Sequence, residues 1–247
     1  MLIRKNTANY IIVFFALLVL WHILSLVLRL SFLPSPIAVF ANIYDIFIPD
    51  IVGHALWSLL RIFAGIVVSM LLGAALGLCM GYYQTLDRLL SPVAYFTYPI
   101  PKIALLPLVM LIFGLGELSK ILMISLIIVF QVIITARDAV KGIPKETFYS
   151  MASLGAGTPA VFRRVIIPAS LPGLLTALRV SLGTALSVLF FTETFGTQYG
   201  MGYFIMDSWM RVDYTDMFSG ILVLSVIGFL LFAATDVLEK LLCRWKR

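Results

Sequence analysis

Residues 144–168 read PKETFYSMASLGAGTPAVFRRVIIP and form the one long polar interruption in a chain that is otherwise mostly apolar. Pro144 suits the first turn of a helix, where its missing N–H costs nothing. Residues 145–154 contain no helix breaker, and Gly155 and Gly157 can stop a helix by adopting positive φ. Thr158 and Pro159 then read as an N-cap and first-turn pair opening a second short helix. That helix carries Arg163 and Arg164 and is predicted to end at Pro168. The pattern is helix, glycine elbow, helix, set between two apolar spans. A loop with that much internal structure is built to touch another surface.

Outward from this loop the composition is that of a membrane protein. The chain has 247 residues, 62% of them hydrophobic and 12% charged. A soluble domain carries about 25% charged residues, and here the deficit falls in long charge-free runs. The net charge of +6 is not spread over one dense basic face, so it does not point to nucleic acid. Cys79 and Cys243 lie in or beside apolar runs without a CxxC or Cys/His partner, which argues against a disulfide or a metal site.

The expected architecture is all-α, a single transmembrane domain over residues 1–247. Six spans are predicted at about 10–28, 58–82, 89–114, 118–137, 169–192 and 217–238, with the polar loop over 138–168. Ser35-Pro36 suggests the start of a short helix to about Phe47 at the membrane surface. Gly65, Ser69, Gly73, Gly77 and Gly81 recur every fourth residue, as do Gly173, Ala177, Ser181 and Ala185. Small residues at that period let helix backbones approach closely, and packing inside the chain is preferred to a dimer seam. Pro92, Pro99, Pro101 and Pro107 must bend or unwind the third span, which also carries Lys102. Inside a bilayer freed backbone groups must face protein or a wet cavity. Pro99, Pro101, Lys102 and Pro107 are therefore candidate pathway-lining residues, with an ordinary kink as the bland alternative. Gln131, Arg179 and Glu193 are further candidates, since charged or amide groups within spans are costly unless used or paired. Arg179 and Glu193 are fourteen residues apart, roughly 21 Å along a helix, too far for a direct relay.

Charge also sets the orientation. With six spans and an inside N-terminus, the inner segments hold Arg4, Lys5, Arg88, Arg137, Lys141, Lys145, Arg163, Arg164 and four basic tail residues. The outer ones hold Arg29, Arg211 and at most Arg61. By the positive-inside rule both termini and the 138–168 loop are expected in the cytoplasm. The enzymatic motifs are missing: no G-x-x-x-x-G-K-[ST], H-E-x-x-H or G-x-S-x-G occurs. No catalytic residue or metal ligand is expected, and His22 and His54 read as satisfied polar side chains.

The loop's spacing resembles the EAA loop of permease subunits of binding-protein-dependent ABC importers. Gly155 fits the glycine of that signature, and Val165, Ile167 and Pro168 fit its Ile-x-Leu-Pro end. The Glu-Ala-Ala positions hold Tyr149, Ser150 and Met151, and Glu146 lies one turn earlier. Further marks are Leu33-Pro34-Ser35-Pro36, Ser58-Leu59-Leu60-Arg61, the run from Pro99 to Leu108, Phe113-Gly114-Leu115-Gly116-Glu117, Leu178-Arg179 and Gly200-Met201-Gly202-Tyr203. Together they resemble the permease family serving sulfonate, taurine, nitrate, bicarbonate and thiamine-precursor importers. The resemblance implies a MetI-like permease fold in a bacterial or archaeal inner membrane. It implies two partner ATPases that hold the ATP and Mg, a second and identical permease chain, and a periplasmic or lipid-anchored binding protein. It implies no cofactor on this chain and no nucleic acid. It makes Glu146, Tyr149, Ser150, Met151, Gly155, Ala156, Arg163, Arg164 and Pro168 the ATPase-coupling residues. The rival readings are a self-contained secondary carrier, which would show inverted repeats, a membrane-embedded enzyme, which would cluster acid/base groups at one depth, and a simple structural membrane protein. Co-purification of an ATPase would separate the first from the carrier.

Overall fold

The computed structural model describes residues 3–97 and 100–246, and the side chains of 12–97 and 100–245. Eleven helices follow one another among the described residues: α1 (Ile3–Leu28), α2 (Pro36–Ile46), α3 (Val52–Tyr82), α4 (Gln84–Thr97), α5 (Leu106–Phe113), α6 (Glu117–Lys141), α7 (Lys145–Ser153), α8 (Thr158–Val161), α9 (Ile167–Glu193), α10 (Met201–Met210) and α11 (Tyr214–Leu242). Four stretches are long and apolar enough to cross a membrane: Pro36–Tyr82, Glu117–Lys141, Thr158–Glu193 and Tyr214–Leu242. A fifth arises if α4 and Lys102–Phe113, bent by 83°, count as one broken span, and Ile12–Leu28 is a shorter apolar helix. Six spans were expected. The apolar stretch Ile12–Leu28 lies within α1 (Ile3–Leu28), at the place of the first, and the third is the bent pair.

The short helix expected from Ser35-Pro36 is present: α2 opens at Pro36, with Ser35 Oγ accepting the Ala38 N–H at 3.2 Å, ends at Ile46 and runs on into α3 through a π turn over Phe47–Ile51. The expectation about Pro168 is corrected, since it does not end a helix. Gly157 is the N-cap of α8, a π turn over Phe162–Ile166 follows, and Pro168 lies in the first turn of α9. Proline lacks an N–H and its ring crowds the carbonyl four residues back. A π turn relieves this by letting the chain bond one residue further on: Ile167 N–H reaches Phe162 O, as Val52 N–H reaches Phe47 O beyond Pro49.

Packing divides the chain into two units, Met1–Trp57 with Gln198–Ser225, and Ser58–Thr197 with Val226–Arg247. In the first, Trp21 stacks on Phe218 at 5.7 Å and donates from Nε1 to Pro34 O at 3.1 Å. Asn42 Nδ2 donates to Asp216 Oδ1 at 2.8 Å and Ser219 Oγ at 3.1 Å. His54 lies among the rings of Tyr199, Tyr203 and Phe204, and its Nδ1 accepts the Gly200 N–H at 3.1 Å. His22 departs from expectation, since its buried Nδ1 has no hydrogen-bond partner among the described residues.

The second unit is built on close helix contact. A Cβ added at Gly65, Gly73, Gly77 or Gly81 would fall 2.4–2.7 Å from atoms of Ile124, Val132, Ile133 or Val140 on α6. Ser69 Oγ completes the stripe, donating within α3 and to Ser125 O. The four-residue period of small side chains thus seats α3 on α6 inside the chain. Ala177, Ser181 and Ala185 are buried on α9, and a Cβ at Gly173 would meet Ala139 at 3.1 Å. The buried core includes Met123, Ile128, Val132, Ala136, Ile166 and Leu189.

Candidate functional site

The loop between α6 and α9 is ordered by its own backbone. Pro144 precedes α7, and α7 closes with two bonds, Gly155 N–H to Ala152 O at 2.9 Å and Ala156 N–H to Met151 O at 3.1 Å. These are the paired bonds of a Schellman end, and Gly155 supplies the left-handed residue at φ +69°. Yet α7 has no buried residue. Tyr149 and Leu154 are 66% and 81% exposed. Glu146, Ser150, Arg163 and Arg164 are exposed as well, and Met151 and Ala156 are half-buried. Neither arginine nor Glu146 forms an ion pair among the described residues. A cavity of about 500 Å³ opens beside the loop, lined by Ile143, Pro144, Thr147, Arg164, Pro168 and Trp245 among others.

Aromatic rings fasten this loop to the end of α3. Tyr82 meets Phe148 of α7 at 6.1 Å and Phe162 of the π turn at 5.2 Å, and Tyr83 stacks on Phe162 at 6.3 Å. The sequence reading named none of these four residues. The available signal was the Tyr82-Tyr83 doublet directly after the glycine stripe.

The broken third span forms a second feature. Helix α4 ends at Thr97, Ile100 and Pro101 are non-helical, Lys102–Leu105 forms a 3-10 turn, and Pro107 sits in the first turn of α5. Pro99 lies outside the described residues. Beside this break is a cleft of about 390 Å³ lined by Ile100, Lys102, Ile103, Ile127, Gln131, Thr184 and Val188. The Lys102 side chain is 8% exposed; its Nζ donates to Thr97 O at 2.9 Å and lies 5.1 Å from the Phe130 ring centre.

Arg179 and Glu193, the other two candidates, lie elsewhere. Arg179 is paired with Asp236 and, at 2.9 Å, with Glu239 of α11. Glu193 is wholly buried and takes part in a cluster the sequence reading missed. Its Oε1 accepts from Arg61 Nη1 at 2.6 Å and both its oxygens accept from Ser58 Oγ at 2.8–2.9 Å. Arg61, 1% exposed, also donates to Glu117 from Nε at 2.5 Å and Nη2 at 2.7 Å. Lys120 Nζ, in the same region, donates to Leu115 O at 2.8 Å and Gly116 O at 3.2 Å. The cluster pins α3, the start of α6 and the end of α9. Arg61 and Glu117 were visible only as separate motif residues.

Comparison with known proteins gives this arrangement a family. Residues 65–247 match the model of the binding-protein-dependent transport system inner membrane component. The chain is 32% identical over 237 residues to the taurine transport system permease protein TauC of Escherichia coli K12, covering 93% of this chain and 86% of that protein. It is 31% identical over 238 residues to the formylaminopyrimidine transport permease protein ThiX of Halalkalibacterium halodurans, covering 95% and 94%. Its fold superposes on a chain of the inward-facing MetNI methionine ABC transporter with a TM-score of 0.65 at 20% identity, covering 78% of this chain and 95% of that one. The chain therefore belongs to the binding-protein-dependent inner membrane components, and is a transmembrane permease of the ABC importer type.

Proposed function

We propose that two copies of this chain form the translocation pathway of an importer, each receiving a separate ATPase on the loop over residues 138–168. ATP and Mg belong to the ATPases, and this chain performs no hydrolysis. A binding protein delivers the solute to the outer face, and both termini and the loop face the cytoplasm. The solute is a small polar or anionic molecule, of the kind named for the taurine and formylaminopyrimidine relatives.

One observation carries this reading. Helix α7 is formed and capped, yet has no fully buried residue and exposes Tyr149 and, at its C-cap, Leu154. An ordered helix with uncovered apolar side chains is a surface for another protein. Displacement of α7 by the ATPase would reach α3 through the rings of Tyr82, Phe148 and Phe162, and α9 through the π turn. Replacing Gly155 tests it. Nothing lies within 4 Å of a Cβ there, so Gly155→Val acts through the backbone alone, at a left-handed cost of roughly 1–2 kcal/mol. The expected result is reduced co-purification of the ATPase and uncoupled ATP hydrolysis, with the chain still folded. Undiminished binding and uptake would sink the proposal.

A further inference from the structure

The cavity of about 500 Å³ beside the α7 loop is lined by hydrogen-bond donors and, among the described residues, by no carboxylate. Arg164 of the π turn, Thr147 of α7 and Trp245 of the 3-10 turn after α11 reach it from three separate segments. None of these three side chains makes a hydrogen bond or ion pair among the described residues. Other cations of the same unit are neutralised within the chain: Arg137 and Lys141 by Asp87 and Asp138, and Arg179 by Asp236 and Glu239. Glu146, next to Thr147 in sequence, is exposed and does not line the cavity.

The position of the cavity says what surrounds it. It lies at the end of one membrane-crossing stretch, Glu117–Lys141, within the opening of a second, Thr158–Glu193, and just beyond a third, Tyr214–Leu242. That is the boundary between hydrocarbon and water, where an indole is at home because its body is apolar and its N–H is polar. The backbone adds to the charge. Helix α7 begins here, and the open peptide N–H groups of a first turn carry partial positive charge. Two of the last carbonyls of α6 are already taken, Asp138 O by Gly142 N–H at 2.9 Å and Val140 O by Ile143 N–H at 3.0 Å. The chain then ends in a basic tail with Lys240, Arg244, Lys246 and Arg247, and such juxtamembrane clusters are drawn to lipid head groups. Ile143, Val165 and Ala169 give the cavity an apolar wall.

We infer that Arg164, Thr147 and Trp245 hold the phosphodiester of one glycerophospholipid, which joins the C-terminal tail to the α7 loop. The planar guanidinium matches two phosphate oxygens at once. The hydroxyl and the indole N–H donate to the same group, and the apolar wall covers the glycerol and the first methylenes. One cation against one monoanionic diester leaves the site neutral. A free phosphate would use the donors and leave the apolar wall and most of the volume without a partner.

The test is native mass spectrometry of the full-length chain released from detergent micelles doped with one of two lipids of equal acyl chains, phosphatidylglycerol or the phosphate-free monogalactosyl diacylglycerol. Phosphatidylglycerol should be retained at one tight site, and the galactolipid at least about tenfold more weakly, as hydrogen bonds to charged groups outweigh neutral ones. Arg164→Gln should weaken phosphatidylglycerol by about tenfold. Arg88→Gln makes the same charge change at an exposed position that does not line the cavity, and should stay within about twofold, since distant exposed charges are screened. Thr147→Val and Trp245→Leu should each cost about threefold, and they decide the matter if Arg164→Gln fails to fold. Equal retention of the two lipids, full retention in the cavity variants, or an equal loss in Arg88→Gln overturns the site. Displacement of phosphatidylglycerol by an equal concentration of inorganic phosphate overturns its assignment to lipid. No ATPase or binding protein enters the measurement. Lost lipid with intact ATPase co-purification would count against this site alone, and the reverse against the importer reading alone.

Discussion

Two buried cations in the same unit stand in opposite surroundings. Arg61 meets two carboxylates, Glu117 and Glu193, and with Lys120 nearby the four charges sum to zero. Lys102 lines a cleft with no carboxylate among the described residues. The first is a closed structural joint, because charge buried with matched charge holds helices together and asks nothing of a ligand. The second lies beside open volume, donating to Thr97 O and resting near the Phe130 ring. Both cations are almost fully buried, and the difference lies in what surrounds them: carboxylates from two other helices at Arg61, a cavity at Lys102.

The contrast can be broken most directly at the joint. Arg61→Met leaves Glu193 buried against an apolar side chain, and losing one partner of a buried pair costs about 3–5 kcal/mol. The expected outcome is a chain that melts far earlier in detergent, or is not recovered monodisperse. Adding Glu193→Leu to Arg61→Met removes the stranded charge, so the double variant should be the more stable of the two in the same melting assay. A double variant worse than the single would mean that the joint does more than balance charge. Glu117 is 40% exposed on its side chain, so Glu117→Gln should cost about 1 kcal/mol or less. At the cleft, Lys102→Met removes the bond to Thr97 O and the contact with the Phe130 ring, and the loss in melting stability should be about 1–2 kcal/mol, smaller than at Arg61. A collapse of stability there would make Lys102 a joint of the same kind as Arg61.

The legible parts of the sequence were those governed by local rules. Gly155 announced the elbow because few other residues enter the left-handed region at a helix end. The glycine stripe announced α3 against α6 because a four-residue period lies on one helical face. The proline run announced a break between α4 and α5. The Arg61 joint was hidden because its partners lie 56 and 132 residues away, and no periodicity links them. Pro168 misled because proline's local penalty was read without the wider turn that absorbs it. Of the pathway candidates, Lys102 and Gln131 line one cleft, while Arg179 and Glu193 lie in two separate ion-pair groups. One-dimensional reading could not divide them, because all four look alike as polar residues in apolar runs.

The wide turn at Phe162–Ile166 has a consequence for tolerance to deletion. It holds one residue more than an ordinary helical turn, wound into nearly the same rotation. Removing a single residue there would let the backbone close into an unbroken α-helix, with α8 and α9 kept close to their present register.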